Sequence, residues 1–288
     1  MKKLEENKYW IWLNSLKTIG SIKKQKLLKK LKSPERIFYS NQEEIGDIKG
    51  IGEKSIKEIF DPILKERIEY EIKYMQENHI KFISIEDDEY PQKLKEIYDY
   101  PIGIYIKGNE KILKNHSIAI IGCRDYSEYG KKCAEYFSYN LAREGKIIIS
   151  GLAKGIDSFA HWGAVKAKEK TIAVVGNGLD TVYPKENQKL IEEILKNDGA
   201  IISEYPVGVK PEKNNFPARN RIISGISEGV LVIEAKKKSG TLITVDFALE
   251  QGRDVYVVPG NINSINSTGT NDLIKQGATL VSNYKEIE

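Results

Sequence analysis

The residues of this 288-residue sequence best placed to do chemistry are glycines that end apolar runs, with cations set among them. The clearest case is Ser150-Gly-Leu-Ala-Lys-Gly-Ile-Asp157, which follows the β-branched run Ile147 to Ile149. A buried strand that passes through a glycine-rich turn into a helix leaves free backbone N–H groups at the helix start, and such a turn can hold a phosphate. Lys154 adds a positive charge between Gly151 and Gly155. The plainer alternative is a tight turn that needs glycine for its backbone angles. The same chemistry recurs in Gly122-Cys-Arg124, in Lys213-Asn-Asn-Phe216-Pro-Ala-Arg219-Asn-Arg221 and in Lys236-Lys-Lys-Ser-Gly-Thr241. Recurrence favours a ligand over a plain turn.

The elements that must position these groups alternate. Strands are expected at 118–121, 147–149, 171–175, 200–202, 230–233, 255–258 and 279–281. Helices are expected near 129–143, 157–168, 185–196, 220–226, 241–251 and 272–276. Apolar strands separated by helices imply an α/β, Rossmann-like doubly wound, mostly parallel sheet, whose ligands sit beyond the carboxyl ends of the strands. Gly122-Cys-Arg124, Gly151, Gly176-Asn-Gly178 and Glu234-Ala235 all fall just after strands and belong on that edge. The edge lacks Gly-x-Gly-x-x-Gly and Gly-x-x-x-x-Gly-Lys-Ser/Thr, so neither a nicotinamide site nor a P-loop is expected. Several cations, glycine-rich helix starts and one aromatic flanked by cations have the composition of a single-stranded nucleic-acid groove.

Residues 1–80 read as a separate all-helical domain, with Tyr9, Trp10, Trp12, Leu13 and Leu16 at helical spacing as its core. Its Lys49-Gly50-Ile51-Gly52 turn before Ser55-Ile-Lys-Glu-Ile59 resembles a helix-hairpin-helix (SAM-like) element, in which a glycine turn presents N–H groups to a DNA phosphate and Lys49 and Lys54 assist. A hairpin that keeps the turn for packing is the alternative. The run Lys23, Lys24, Lys26, Lys29, Lys30, Lys32 reads as a solvated helix face. Residues 81–117 read as a connector packed on the main domain, residues 118–288.

The whole-chain charge is only +4, although residues 1–32 hold ten Lys against two Glu. The two cysteines, Cys123 and Cys133, imply neither a disulfide framework nor a zinc site. No apolar run is long enough for a membrane span and the N-terminus has no signal-peptide character, so a cytoplasmic protein is expected.

Taken together, these motifs resemble the DNA-processing protein A family (DprA/Smf). The resemblance rests on Gly122-Cys-Arg-Asp-Tyr-Ser-Glu-Tyr-Gly130, Ser150 to Asp157 with Ala160-His161, and Gly178-Leu-Asp-x-x-Tyr183-Pro184. It continues through Ser203-Glu-Tyr-Pro206, Phe216-Pro-x-Arg-Asn-Arg-Ile-Ile223, Ser239-Gly-Thr-Leu-Ile-Thr244, Pro259-Gly260 and Gly269-Thr-Asn271. Tyr90-Pro91 and Tyr105-x-Lys-Gly108 of the connector match as well. The resemblance implies a single-stranded-DNA-binding protein, often a homodimer, that helps load a RecA-type recombinase in natural transformation, with no cofactor and no catalytic cycle. Two features depart from the pattern. Cys123 stands where Ser is usual, and the C-terminal winged-helix module of many relatives is not expected after Val281.

Residue by residue, the resemblance implies phosphate contacts for Arg124, Lys154, Lys213, Arg219 and Arg221, a base stacked on Phe216 in a loop with Pro217, and backbone anion sites at Gly122, Gly151, Gly240 and Thr241. The plainer alternative for Arg219 and Arg221 is a salt bridge to Glu204 or Glu234. Asp157 and Glu234 are expected to hold basic side chains, and His161 to be core. The rival function is a nucleotide-binding or nucleotide-cleaving relative of phosphoribohydrolases. Those enzymes follow a Gly-Gly-x-Gly-Thr turn with a catalytic glutamate, whereas Ser239-Gly-Thr241 runs into Leu242-Ile-Thr244.

Overall fold

A computed structural model describes residues 2–287. One nine-stranded sheet runs through it. Its strands are β1 (Ile80–Ser84), β2 (Gly103–Gly108), β3 (Ser117–Ile121), β4 (Ile147–Ser150), β5 (Thr171–Val175), β6 (Ala200–Ser203), β7 (Gly229–Val232), β8 (Asp254–Val257) and β9 (Thr279–Leu280). Their spatial order is β1-β2-β6-β5-β4-β3-β7-β8-β9. The β3 to β9 strands pair in parallel, as alternating strands and helices require. Strands β3 to β7 are buried along their whole length because helices cover both faces, which is why they read as unbroken apolar runs. On β3, Ala119 and Ile121 enter one core while Ile118 and Ile120 enter the other, the two-residue alternation of a strand.

Chain order reverses at β3. The β4, β5 and β6 strands lie to one side and β7, β8 and β9 to the other, so the crevice between the carboxyl ends of β3 and β7 is the topological switch point where this architecture opens a ligand site.

Residues 81–117 do more than the connector expected of them. They supply most of β1 and all of β2, and β2 pairs antiparallel with β6, with Tyr105 opposite Ser203 and Gly108 opposite Ala200. The helical segment is likewise not independent of the sheet. Ile11, Trp12, Leu13 and Leu16 of its first helices share one core with Phe82, Ile102 and Tyr105 of the connecting segment. A glycine turn at Thr18-Ile19-Gly20-Ser21 precedes the one at residues 49–52, and the chain itself fills it, because the Glu58 carboxylate accepts from the N–H groups of Lys17 (2.7 Å) and Thr18 (2.8 Å) and from the Thr18 hydroxyl (2.5 Å). At the second turn Gly50 has φ +97°, a left-handed conformation that suits glycine, and Lys49 and Lys54 stay exposed. Among the described residues no helix is long and apolar enough to cross a membrane.

Polar groups also tie the helices to the sheet. Asn14 Nδ2 donates to Glu204 O at 2.9 Å, and the buried Lys24 ammonium donates to Asn14 O at 2.6 Å. Glu71, buried on the Pro62–Glu77 helix, accepts from Val207 N–H at 3.3 Å. Burial pushes its carboxyl up from 4.5 to about 7, more than the bonds from Tyr105 and Val207 pull it back. A raised folded-state value means that the group contributes stability below the unfolded value and loses it as pH rises through the folded one. The wild-type protein should therefore lose this contribution between pH 4.5 and about 7. Glu71→Gln should flatten that part of the profile, with a difference of roughly 3 kcal/mol at most between its two ends. Denaturant melts of both proteins across this range check it. Parallel pH profiles would remove Glu71 as the titrating group.

Candidate nucleic-acid interface

An open groove of about 750 Å³ lies at the switch point. Its floor is the turn after β3 (Gly122 to Asp125), one wall is the first half of the Asn215–Gly225 helix, and the other is the start of the Gly240–Glu250 helix. The turn after β3 is braced by the turn after β4. Ile156 N–H donates to Cys123 O at 3.3 Å, and Gly155, at φ +84°, lies so close that a Cβ there would sit 2.6 Å from both Cys123 O and Arg124 O. Gly122 is held against Ile156 in the same contact.

Phe216 and Arg124 meet at the groove. The Arg124 guanidinium carbon lies 5.7 Å from the centroid of the half-buried Phe216 ring, and the Tyr183 ring lies 5.5 Å from it with the two rings tilted by 32°. The sequence reading placed Phe216 in a loop, but it belongs to the first turn of the Asn215–Gly225 helix. Pro217 is tolerated there because the first N–H groups of a helix have no intrahelical partner to lose. Lys213 is exposed just ahead of that turn. The groove lining also carries Lys236 and Lys238, which the residue-by-residue reading left out although the Lys236-Lys-Lys run was visible. Tyr183 was missed too, and its signal was the Tyr-Pro pair already quoted among the motifs. Against Arg124, Lys213, Lys236 and Lys238 the lining sets two carboxylates. Asp125 is held by Lys236 at 2.6 Å, and Asp157 is buried.

Arg219 corrects an expectation. It is 4% exposed, and its Nη1 donates to Gly151 O at 2.6 Å and to Val174 O, with Nε bonded to Asn220 Oδ1 at 3.2 Å. Burial lowers its pKa to about 10, while Asp157 acts to raise it. Burial in turn raises the Asp157 carboxyl, and Arg219 opposes that rise. The guanidinium is thus spent on the carboxyl ends of β4 and β5. Gly151 makes room for this arrangement, since a Cβ there would lie 2.7 Å from Asp157 Oδ2 and 2.8 Å from Arg219 Nη2. Its role is steric, where an anion site was expected.

Arg221 corrects a second one. It points away from the groove, into the contact between the helical segment and the sheet, where it pairs with Glu204 (2.8 Å) and Asp99 (2.9 Å) and bonds Ser21 Oγ (3.0 Å). The salt bridge to Glu204 was the alternative reading. Lys154 lies beside the groove in a smaller cavity with Arg124, Tyr183 and Phe216, paired with Glu186 at 2.5 Å. Both partners are more than half exposed, so solvent screening leaves the pair weak. Gly240 and Thr241 begin the Gly240–Glu250 helix at the groove, but the Thr241 N–H already bonds the Ser239 cap at 3.2 Å. Among the described residues no basic side chain bonds Glu234. It accepts from Ser127 N–H at 3.0 Å and from the Ser127 hydroxyl, fixing the residue that caps the Glu128–Arg143 helix. Burial and the Glu234 charge push the Cys123 thiol up to about 12, which keeps it protonated. His161 is fully buried, bonded through Nδ1 to Thr171 Oγ1 at 2.7 Å and lowered to about 3 by burial. It is a core residue. No group of His, Cys, Asp and Glu among the described residues could hold a metal ion.

Comparison with known proteins gives this geometry relatives. Residues 81–288 match the family model for DNA recombination-mediator protein A. Protein Smf of Escherichia coli K12 is 42% identical over 223 residues, which cover 77% of this chain and 60% of that protein. The crystal structure of DNA processing protein A (DprA) from Streptococcus pneumoniae superposes with a TM-score of 0.81 at 38% identity over 97% of this chain and 96% of that one. DNA processing protein A of Helicobacter pylori, described for its single-stranded DNA binding mode, superposes with a TM-score of 0.65 at 32% identity over 73% of this chain and 94% of that one.

The geometry separates a buried arginine, Arg219, from an exposed one, Arg124. Arg219→Ala should remove the cation beside the buried Asp157 and leave the Gly151 and Val174 carbonyls unbonded, destabilising the protein by about 2–5 kcal/mol. Arg124→Ala, at an exposed site, should change stability by less than about 0.5 kcal/mol. Urea melts of the two variants check the contrast, and equal stabilities would show that Arg219 is not the tie between the strands.

Proposed function

This chain belongs to the DNA recombination-mediator protein A (DprA/Smf) family, and on that premise we propose that its groove binds single-stranded DNA. Phosphates lie along Arg124, Lys213, Lys236 and Lys238, and a base stacks on Phe216. The observation that carries this reading is the pair of rings, Phe216 and Tyr183, with the Arg124 guanidinium beside them and lysines on either side. Aromatic faces take any base, and a cationic track takes the phosphates, so the groove suits a strand whose bases are accessible and disfavours a duplex. The Helicobacter pylori relative, described for single-stranded DNA binding, supports it.

In the cell, the bound strand is handed to a RecA-type recombinase, and the protein acts as a homodimer during natural transformation or related recombination. The description of the family as a recombination mediator supports this part of the reading. Recombinase filament assembly on a single strand, followed with and without the protein, tests it, and light scattering tests the dimer.

The protein is a binder without turnover. The carboxylates lining the groove are Asp125, tied to Lys236, and Asp157, buried. The first turns of the Gly240–Glu250 helix present Ile243 and Thr244 where a nucleotide hydrolase would need an acid. Purified protein should leave ATP and nucleoside monophosphates intact over hours. Release of product that copurifies with the protein would favour the nucleotide-cleaving reading instead.

Phe216→Ala should weaken single-strand binding by roughly ten- to a hundredfold, the range set by about 1–3 kcal/mol of base stacking. The slope of log affinity against log salt should stay unchanged, because no charge is lost. Arg124→Ala or Lys213→Ala should each reduce that slope by about 0.7. Melting temperatures measured beside the affinities separate stacking from folding. A Phe216→Ala protein that melts early but binds normally per folded molecule would make the ring a packing residue.

A further inference from the structure

A second cleft, of about 840 Å³, lies on the other side of the Asn215–Gly225 helix, between the helical segment and the sheet. The helix is the wall between the two. Phe216, Pro217, Arg219 and Asn220 face the DNA groove, and Asn215, Ala218 and Arg221 face the cleft. Just before the helix, Lys213 lines the groove and Glu212 lines the cleft, so the two openings flank the helix N-terminal end, where the backbone dipole favours negative charge.

The cleft repeats the composition of the groove. Tyr205 and Phe247 are half-buried aromatic faces in its lining, and Lys17 and Lys23 stand at its rim. The buried Lys24 ammonium is held by Asn14 O. Arg221 holds Glu204 and Asp99, which leaves Glu212 as the carboxylate of the lining without a described ion pair. From Lys23 the Ser21–Leu31 helix carries Lys26 and Lys30 on one face, at spacings of three and four residues, beside the face that buries Leu27 and Leu31. The stripe is about 10 Å long at 1.5 Å per residue. Among the described residues none of these three lysines has an ion pair, and two of them, Lys26 and Lys30, are exposed. Solvation alone would explain a scattered set of free lysines. A stripe that starts at the mouth of an aromatic, cation-rimmed cleft, itself one helix away from the groove, has the layout of a phosphate track.

We infer that a single strand held in the groove continues over the N-terminal end of the Asn215–Gly225 helix, crosses the cleft between helical segment and sheet, and leaves along Lys23, Lys26 and Lys30. This rests on the groove reading and extends it. The helical segment then serves as the second half of the binding surface, so the site is longer than the sheet edge alone provides.

The test uses the full chain and oligothymidylates of two lengths, one of about 6 nucleotides that fills the groove and one of about 20 that reaches the stripe. The triple variant Lys23→Gln, Lys26→Gln, Lys30→Gln changes side chains that lie outside the core, and its melting temperature is measured alongside. It should bind the short oligomer as the wild type does. For the long one it should bind about tenfold more weakly at low salt, with a salt slope lower by about 2, since each phosphate contact on a single strand contributes about 0.7. Arg124→Ala should weaken both lengths. Wild-type affinity and slope for the long oligomer in the triple variant would overturn the extended track and leave the groove reading intact. Equal losses at both lengths would also overturn it. A wild-type protein that binds neither length would end the groove reading and the extension together.

Discussion

The structure depends on one buried cation. The Arg219 guanidinium reaches from the Asn215–Gly225 helix to the carbonyls of Gly151 and Val174, and so fastens that helix to the carboxyl ends of two neighbouring strands. Everything placed by the helix inherits this constraint. Phe216 lies three residues earlier on the same helix and faces the groove, and Arg221 lies two residues later and faces the helical segment. The desolvation penalty of a buried guanidinium is large, and it is met by three acceptors and by the nearby Asp157. Such a group is a poor phosphate ligand, because phosphate would have to replace bonds that the fold needs. Binding is left to cations that the fold does not use.

That division runs through the site. Arg124, Lys213 and Lys238 have no described ion pair and lie on turns or just ahead of helices, so their charge is available to a ligand. Lys154 and Lys236 carry exposed carboxylate partners, and displacing these costs little. Arg219 and Arg221 are committed to the interior. Free and committed cations therefore come from the same cluster of motifs.

Legibility in the sequence follows the same line. The parallel sheet was readable because its central strands are covered on both faces and appear as short, unbroken apolar runs. Glycine turns and cations marked the correct edge for the same reason, since the topology gathers whatever follows those strands. Roles within the edge were not readable. Gly151 was needed by an arginine sixty-eight residues later in the chain, a contact with no local trace. Arg219 and Arg221 are two residues apart on one helix, so they face different ways, yet a reading that starts the helix at 220 leaves Arg219 outside it and cannot use that. Pro217 misled it, because proline marks loops and first helical turns alike. The antiparallel edge was hidden for a similar reason. Nothing in Ile102 to Gly108 names β6 as its partner, and the segment reads equally well as a strand lying on another surface.

That edge has a kinetic side. The β2 strand pairs with β6, which follows it by more than ninety residues, so it cannot join the sheet until the chain through Ser203 has been made. Local contacts form first and long-range pairings wait for loop closure. During synthesis the helices of the first eighty residues can gather around Trp12 early, but the β2 edge stays open while the β3 to β6 strands emerge. The strand made second therefore waits for the sixth before it finds its place in the sheet. Until then the growing chain carries an uncovered strand edge, the kind of surface on which nascent proteins associate with one another.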